Sequence, residues 1–203
     1  MNRTVRLPAT IDEVIETFKD KELDFQPGEK FSYNNSGYIL LGKIIERVSG
    51  HDYETLLRQK IFQPLEMNDS GYDRNQAIVP KRASGYTRTL ILLANSPFID
   101  MAWPHAAGAL YSTVDDLAKW DLALHERKLI GADSYRAMYT PLMNNYAYGW
   151  FVRELDGHKE IGHGGGIHGF QTSILRYPDD NVLVVVLCNV VPTRVDQISR
   201  DLA

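Results

Sequence analysis

The run His163-Gly164-Gly165-Gly166-Ile167-His168-Gly169 puts imidazoles and glycines close enough to serve several chemistries. Gly164, Gly166 and Gly169 satisfy the G-x-G-x-x-G pattern of dinucleotide-binding loops. That mechanism needs a helix N-terminus facing the pyrophosphate, and here a strand pattern follows. His163 to Gly166 also spells the HGGG oxyanion loop of α/β-hydrolases, yet no serine of the chain sits in a G-x-S-x-G elbow. His158, His163 and His168 could be imagined as metal ligands, but no Asp, Glu or Cys at ligand spacing supports them, and no metal or cofactor is expected. Two readings survive. One is a strand edge where glycines let a substrate lie against the backbone, and the other is a tight β-bend.

A second candidate is Tyr33-Asn34-Asn35, just after the turn Asp24-Phe25-Gln26-Pro27-Gly28. Tyrosine is a weak base near neutrality, because its hydroxyl titrates near pH 10, so a catalytic tyrosine needs a neighbouring cation. The plainer reading is a tyrosine packing its ring while Asn35 or Ser36 caps a helix.

The elements that would position these groups follow from periodicity. Thr10-Ile11-Asp12-Glu13 is a capping box, and Ile11, Val14, Ile15 and Phe18 recur at helical spacing. A second helix is expected from about Ser36 to Gly50, with Ile39, Leu40, Ile44 and Val48 as its apolar face. Asp52 should cap a third, running to Ile61 before Pro64. Residues 68–107 lose all pattern, which suits a long irregular segment lining a site. Ser112-Thr113-Val114-Asp115 reads as another capping box, with Ser112 as N-cap of a helix to His125; a short helix over 134–139 follows.

The last third changes character. Strands are expected over 148–154, 159–163, 170–177 and 182–190, with Pro178-Asp179-Asp180-Asn181 as a hairpin turn. Val182 to Cys188 is continuously apolar, as in a strand covered on both faces. A terminal helix starts near Thr193. Helices, then an antiparallel sheet, then a helix make an α+β fold, expected as a single domain over residues 1–203.

Composition narrows the function classes. Hydrophobic residues are 44% and charged residues 24% of the 203, which excludes disordered, collagenous and coiled-coil chains. Twenty-two basic residues against 26 acidic, with no basic block, argue against nucleic acid as a partner. No apolar run approaches the roughly 18–20 residues of a membrane span. Met1 to Pro8 lacks the apolar stretch of a signal peptide. The single cysteine, Cys188, excludes an internal disulfide.

Taken together, five segments resemble the serine β-lactamase and penicillin-binding-protein-like hydrolases. They are Phe25 to Gly50 (with Tyr33-Asn-Asn35), Ile61 to Met67, Ala107 to Ala118, Gly162 to Phe170, and the apolar last strand. The branch resembled holds class C β-lactamases, D-alanyl-D-alanine carboxypeptidases and esterases. The resemblance implies a β-lactamase/transpeptidase-like fold and acyl transfer through a serine acyl-enzyme, from an amide, β-lactam or ester substrate. It also implies roles. Tyr33 and Asn35 match Tyr-x-Asn, with Tyr33 as base or proton relay and Asn35 holding the catalytic lysine and the substrate amide. His163 and Gly165 match Lys/His-x-Gly, with His163 beside the tyrosine. The backbone N–H of Gly166 would be half of an oxyanion hole.

The family's Ser-x-x-Lys motif, which carries the nucleophile, occurs nowhere in the chain; no lysine has a serine three places before it. The residues before Tyr33 match the region after that motif. The expectation is therefore a partial fold lacking the N-terminal strands and the nucleophile helix, without the family reaction in the chain as it stands. Ser32, Ser36 and Ser112 are the local serines, and no lysine is placed to activate them. Two function classes follow: part of a serine hydrolase, or a non-catalytic module binding a peptidoglycan-like peptide, a β-lactam or a protein. Both predict an uncovered apolar sheet face or edge, and with it self-association or marginal stability.

Overall fold

Thr10 accepts the Glu13 backbone N–H at 3.2 Å while the Glu13 carboxylate takes the Thr10 N–H at 2.7 Å, so the capping box forms as its sequence specifies. The computed structural model describes residues 3–203. In chain order its elements are α1 Ile11–Glu16, α2 Asn35–Ser49, α3 Tyr53–Leu57, β1 Gly71–Tyr72, β2 Tyr86–Arg88, β3 Leu93–Asn95, β4 Leu110–Tyr111, α4 Val114–His125, α5 Ala132–Met138, β5 Phe151–Leu155, β6 His158–Ile167, β7 Phe170–Tyr177, β8 Val182–Cys188, β9 Val190–Val191 and α6 Val195–Asp201. The mixture of helices and antiparallel sheet is the α+β class expected from sequence. The elements form two compact units, Met1–Arg82 with Pro97–Ser112, and Ala83–Ser96 with Thr113–Ala203.

In the first unit α2 is capped by Asn34, whose side chain accepts the Gly37 N–H at 3.0 Å. The cap is thus one residue before Asn35, and Ser36 lies inside the first turn. Gly50 ends the helix in the left-handed region at φ 72°, where a Cβ would be strained. Asp52 caps α3 as expected, but the helix widens into a π turn over Arg58–Phe62. The expected apolar face of α2 holds at Ile39 and fails at Leu40, Ile44 and Val48. Ile39 and Gly42 are its buried residues, whereas Leu40, Leu41, Ile44, Ile45 and Val48 are exposed, Val48 by 83%. The neighbour it packs against is the short helix His105–Ala107, met through Gly42, where any Cβ would collide with Ala106 and the His105 ring. Ile39 and Gly42 therefore turn inward, leaving five large aliphatic side chains outward.

The second unit is built on a four-stranded antiparallel sheet in the order β5-β6-β7-β8. The 178–181 turn joins β7 to β8 as expected. Ala147, Val152 and Ile161 form its core, with Tyr139 and Trp150 packed on them. Arg176 ties α4 to the sheet through Asp121 at 3.0 Å and reaches Asn181 of the turn at 2.6 Å. The apolar run of β8 is at least partly covered along almost its whole length. It lies at the sheet edge and is mostly half-buried, with Val184 buried and Leu187 exposed. Helices α4 and α6 pack on this strand, and they account for its apolar composition without a further strand.

The helix α4 is capped by Thr113, which accepts the Asp116 N–H at 3.2 Å. Ser112, the expected cap, instead shares a 2.7 Å hydroxyl contact with Ser70. Replacing Thr113 by Ala should cost about 1 kcal/mol of unfolding free energy, in the range measured for lost N-caps. Ser112→Ala should cost less in the same urea titration, and the reverse order would reinstate Ser112 as the cap.

Candidate active site

The expected site residues fall on one helix start and one strand. Tyr33 and Asn35 flank the Asn34 cap in the first unit; Asn35 is the first residue of α2. Tyr33 is 48% exposed, which makes its ring no core anchor. Partial burial, and then the Tyr38 hydroxyl, hold its own hydroxyl above the ordinary value of 10.0. A proton acceptor needs the opposite shift.

His163, Gly164, Gly165 and Gly166 lie in β6 of the second unit. The register places Gly164 opposite Ser173, Gly165 opposite Thr172 and Gly166 opposite Gln171 on β7. On the other flank β5 accompanies β6 only as far as the pair Phe151–Gly162. Among the described residues no strand pairs with that flank beyond Gly162, so β6 presents an open backbone edge from His163 to Ile167. In an antiparallel ladder alternate residues direct N–H and C=O to such a flank, where an extended ligand can pair. Of the two readings of the glycine run, both hold in part. Gly164 to Gly166 form the strand edge, and the bend is confined to His168-Gly169, which joins β6 to β7.

The three glycines are not equivalent. A Cβ on Gly165 would run into Thr172 Oγ1, so packing alone requires glycine there. A Cβ on Gly166 would meet nothing within 4 Å. Glycine at 166 therefore serves no packing need on this strand and keeps the approach to its backbone clear.

His163 is oriented by partners on both ring nitrogens. Its Nδ1 lies 2.5 Å from the Gly164 carbonyl, which can only accept, so Nδ1 carries a hydrogen. Nε2 lies 3.3 Å from the Tyr146 hydroxyl and, in the neutral ring, accepts from it. The ring also sits 5.6 Å from the Phe151 ring and 6.0 Å from that of Tyr146. Tyr146 was not among the expected site residues. Its one sequence signal is the preceding Asn144-Asn145 pair, both at positive φ, which marks a turn without indicating what the next side chain meets. No cluster of His, Cys, Asp and Glu able to hold a metal occurs among the described residues, and His158 pairs instead with Asp180 at 2.7 Å.

Comparison with known proteins extends this picture. The family model "Beta-lactamase" matches residues 2–203. Penicillin-binding protein 4* of Bacillus subtilis is 27% identical over 81% of this chain, which spans 41% of that protein. The structure of a penicillin-binding protein from Bacillus halodurans superposes with a TM-score of 0.83 at 26% identity, covering 96% of this chain and 63% of that one. An octameric penicillin-binding protein homologue from Pyrococcus abyssi gives a TM-score of 0.82 at 33% identity, covering 94% of this chain and 46% of that one. The chain thus spans less than two thirds of each of these relatives.

Proposed function

The chain belongs to the beta-lactamase family, and from that premise we propose that it supplies the Tyr-x-Asn and His-x-Gly motifs of serine acyl-transfer chemistry whose nucleophile it lacks. The observation that carries this reading is the open, glycine-lined edge of β6 beside an oriented His163, in a chain that has Tyr33-x-Asn35 and no Ser-x-x-Lys. In this role the β6 edge pairs with an extended substrate backbone, and the Gly166 N–H faces the developing oxyanion. Asn35 holds the substrate amide. Tyr33 becomes a base or proton relay once a lysine ammonium lowers its hydroxyl pKa. The substrate is an amide, a β-lactam or an ester, and the 203 residues alone do not form an acyl-enzyme.

The direct test is intact mass after exposure to a fluorophosphonate and, separately, to a penicillin. No covalent adduct is expected. A stoichiometric one would overturn the proposal, and peptide mapping would locate the serine responsible. The absence of Ser-x-x-Lys is also met by a second reading, a module that binds its ligand without chemistry. Reversible penicillin binding that Gly166→Val weakens would support it.

The exposed aliphatic face of α2 has a consequence of its own. Leu40, Leu41, Ile44, Ile45 and Val48 form a continuous apolar stripe on one helix, a surface that monomeric proteins generally cover. We expect concentration-dependent self-association through it rather than through the sheet. Ile44→Lys with Val48→Glu should shift sedimentation velocity toward monomer, and an unchanged distribution would exclude this face.

A further inference from the structure

We infer that a cavity in the first unit is a binding site for a small organic cation, an ammonium carried on a short carbon chain. The cavity has a volume of about 280 Å³, at the small end of the sizes that hold ligands. Residues 8–11 at the entry to α1 form part of its wall, and Glu46, Asp52, Tyr53, Tyr72, Asp100 and His105 line it as well. Glu46 lies eleven residues along α2 from Asn35, about 16 Å by helical rise, so this place is apart from the Tyr-x-Asn motif.

The charge around the cavity is negative once its ion pairs are counted out. Asp12 pairs with Lys43 at 2.8 Å, Asp73 with Arg82 at 2.6 Å, and Glu54 with Arg74. Arg74 is the one Lys or Arg that lines the cavity among the described residues, and Glu54 already holds its charge. Glu46, Asp52 and Asp100 make no ion pair with Lys or Arg among the described residues. They accept the N–H groups of Tyr53, Thr55 and Ala102 at 3.1, 2.8 and 3.0 Å, which fixes each carboxylate without neutralising it.

Three rings stand beside these carboxylates. The Tyr53 and Tyr72 centroids lie 5.2 and 6.0 Å from that of His105. The Tyr72 ring already attracts a cation, for the Arg74 guanidinium carbon sits 5.5 Å from its centroid. His105 is 3% exposed. The Tyr72 hydroxyl donates to the Met101 carbonyl at 3.3 Å, so toward His105 Nδ1, 3.2 Å away, it accepts. Burial holds the His105 pKa below 6.5 against the opposing pull of Glu46, and the ring is neutral at pH 7. Its Nε2 is then an acceptor with no protein partner, 3.9 Å from Glu46 Oε1. Two acceptors thus face each other on this cavity, an arrangement that the N–H groups of an ammonium at Glu46 relieve. The acidic groups do not gather as ligands of a bare ion, since no cluster able to hold a metal occurs among the described residues. Dispersed negative charge beside aromatic faces suits an organic cation.

An amide NMR titration of the protein with n-butylammonium chloride, against n-butanol at an ionic strength matched by sodium chloride, tests this. Saturable shifts at Tyr53, Tyr72 and His105 are expected for the amine, with a Kd at least about tenfold below that of the alcohol. Glu46→Gln keeps an acceptor for the Tyr53 N–H and removes the charge, and should weaken amine binding about fivefold or more. Asp100→Asn should weaken it in the same direction and serves where the first variant does not fold; the comparison of amine with alcohol needs neither. Shifts that do not saturate, equal affinity for the alcohol, or a folded Glu46→Gln protein that binds as tightly as the parent would each overturn the inference. Saturable shifts confined to the surroundings of Tyr33 or His163 would place the amine on the acyl-transfer motifs and overturn it too.

Discussion

Joining the 203-residue chain to a polypeptide carrying the Ser-x-x-Lys portion of a relative, in trans or by fusion, is expected to convert it from inert to stoichiometrically acylated by a fluorophosphonate. The argument is electrostatic and steric. Activated-serine chemistry needs a nucleophile, a base and oxyanion donors within reach of one carbonyl, and this chain contributes only part of that set. Tyr33 is the sensitive member. Alone, it is held above the ordinary tyrosine value by partial burial and by Tyr38, so at neutral pH it keeps its proton. A lysine ammonium placed beside it by the added segment would stabilise the tyrosinate and reverse that shift. Tyrosinate absorbance should therefore report a lower Tyr33 pKa on complementation, with Tyr33→Phe as the blank. In the complemented protein Tyr33→Phe should slow acylation by about 10²–10⁴, the usual range for general acid–base groups. A complex that assembles but stays unacylated, or a Tyr33→Phe variant as fast as the parent, would remove Tyr33 from the mechanism.

Parts of the fold could be read from sequence and others could not. The Thr10 and Asp52 caps and the 178–181 turn are local matters, decided by residues a few places apart, and each forms where the pattern places it; the strand expected over 159–163 instead runs from His158 to Ile167. Helix α2 is different. Its period is right, but periodicity reveals only that a helix has an apolar stripe, not what covers it. Ile39 is buried and Gly42 meets the 105–107 helix, while the aliphatic stripe from Leu40 to Val48 stays exposed. A helix amphipathic toward a partner outside the chain reads in sequence like one amphipathic toward its own core.

The site was legible to the same extent. The glycine spacing and the histidine were visible as an open strand edge, and the register of β6 against β5 and β7 bears out that geometry. Tyr146 was not, because its contact with His163 joins residues 17 apart through a turn of two asparagines at positive φ. The Thr113 cap was missed by one residue because Ser112 and Thr113 are chemically equivalent as caps. Only the bond between Ser112 and Ser70, 42 residues away, separates them. Each miss is a long-range contact overriding a local preference.

Glu160 is the other long-range feature that no local pattern announces, and its removal should be the most destabilising single change in the second unit. It sits on β6 with 0% exposure and is reached by Arg153 at 2.6 Å, the Tyr177 hydroxyl at 2.8 Å and Arg200 of α6 at 3.3 Å. Burial alone would raise its pKa, but the hydrogen bonds from Arg200, Tyr177 and Arg153 outweigh it and hold the carboxylate below its ordinary value of 4.5. The Tyr177 hydroxyl is pushed up to about 12, first by burial and then by its bond to Glu160. Glu160→Ala strips three donors of their acceptor at once. Breaking such a buried pair costs about 3–5 kcal/mol; the lower end applies here, because both arginines are partly exposed and can rehydrate. Arg153→Ala and Arg200→Ala each leave Glu160 two partners and should cost about half as much. The pH dependence has a definite sign. A carboxylate whose folded pKa is depressed contributes stability in full above its unfolded value near 4.5, and loses it as pH falls through the lower folded value. Urea midpoints measured from pH 7 to pH 3 should therefore fall below pH 4.5 more steeply for the parent than for Glu160→Gln. Parallel curves, or a Glu160→Ala cost under about 1 kcal/mol, would show that the strand and α6 are joined by their apolar contacts alone.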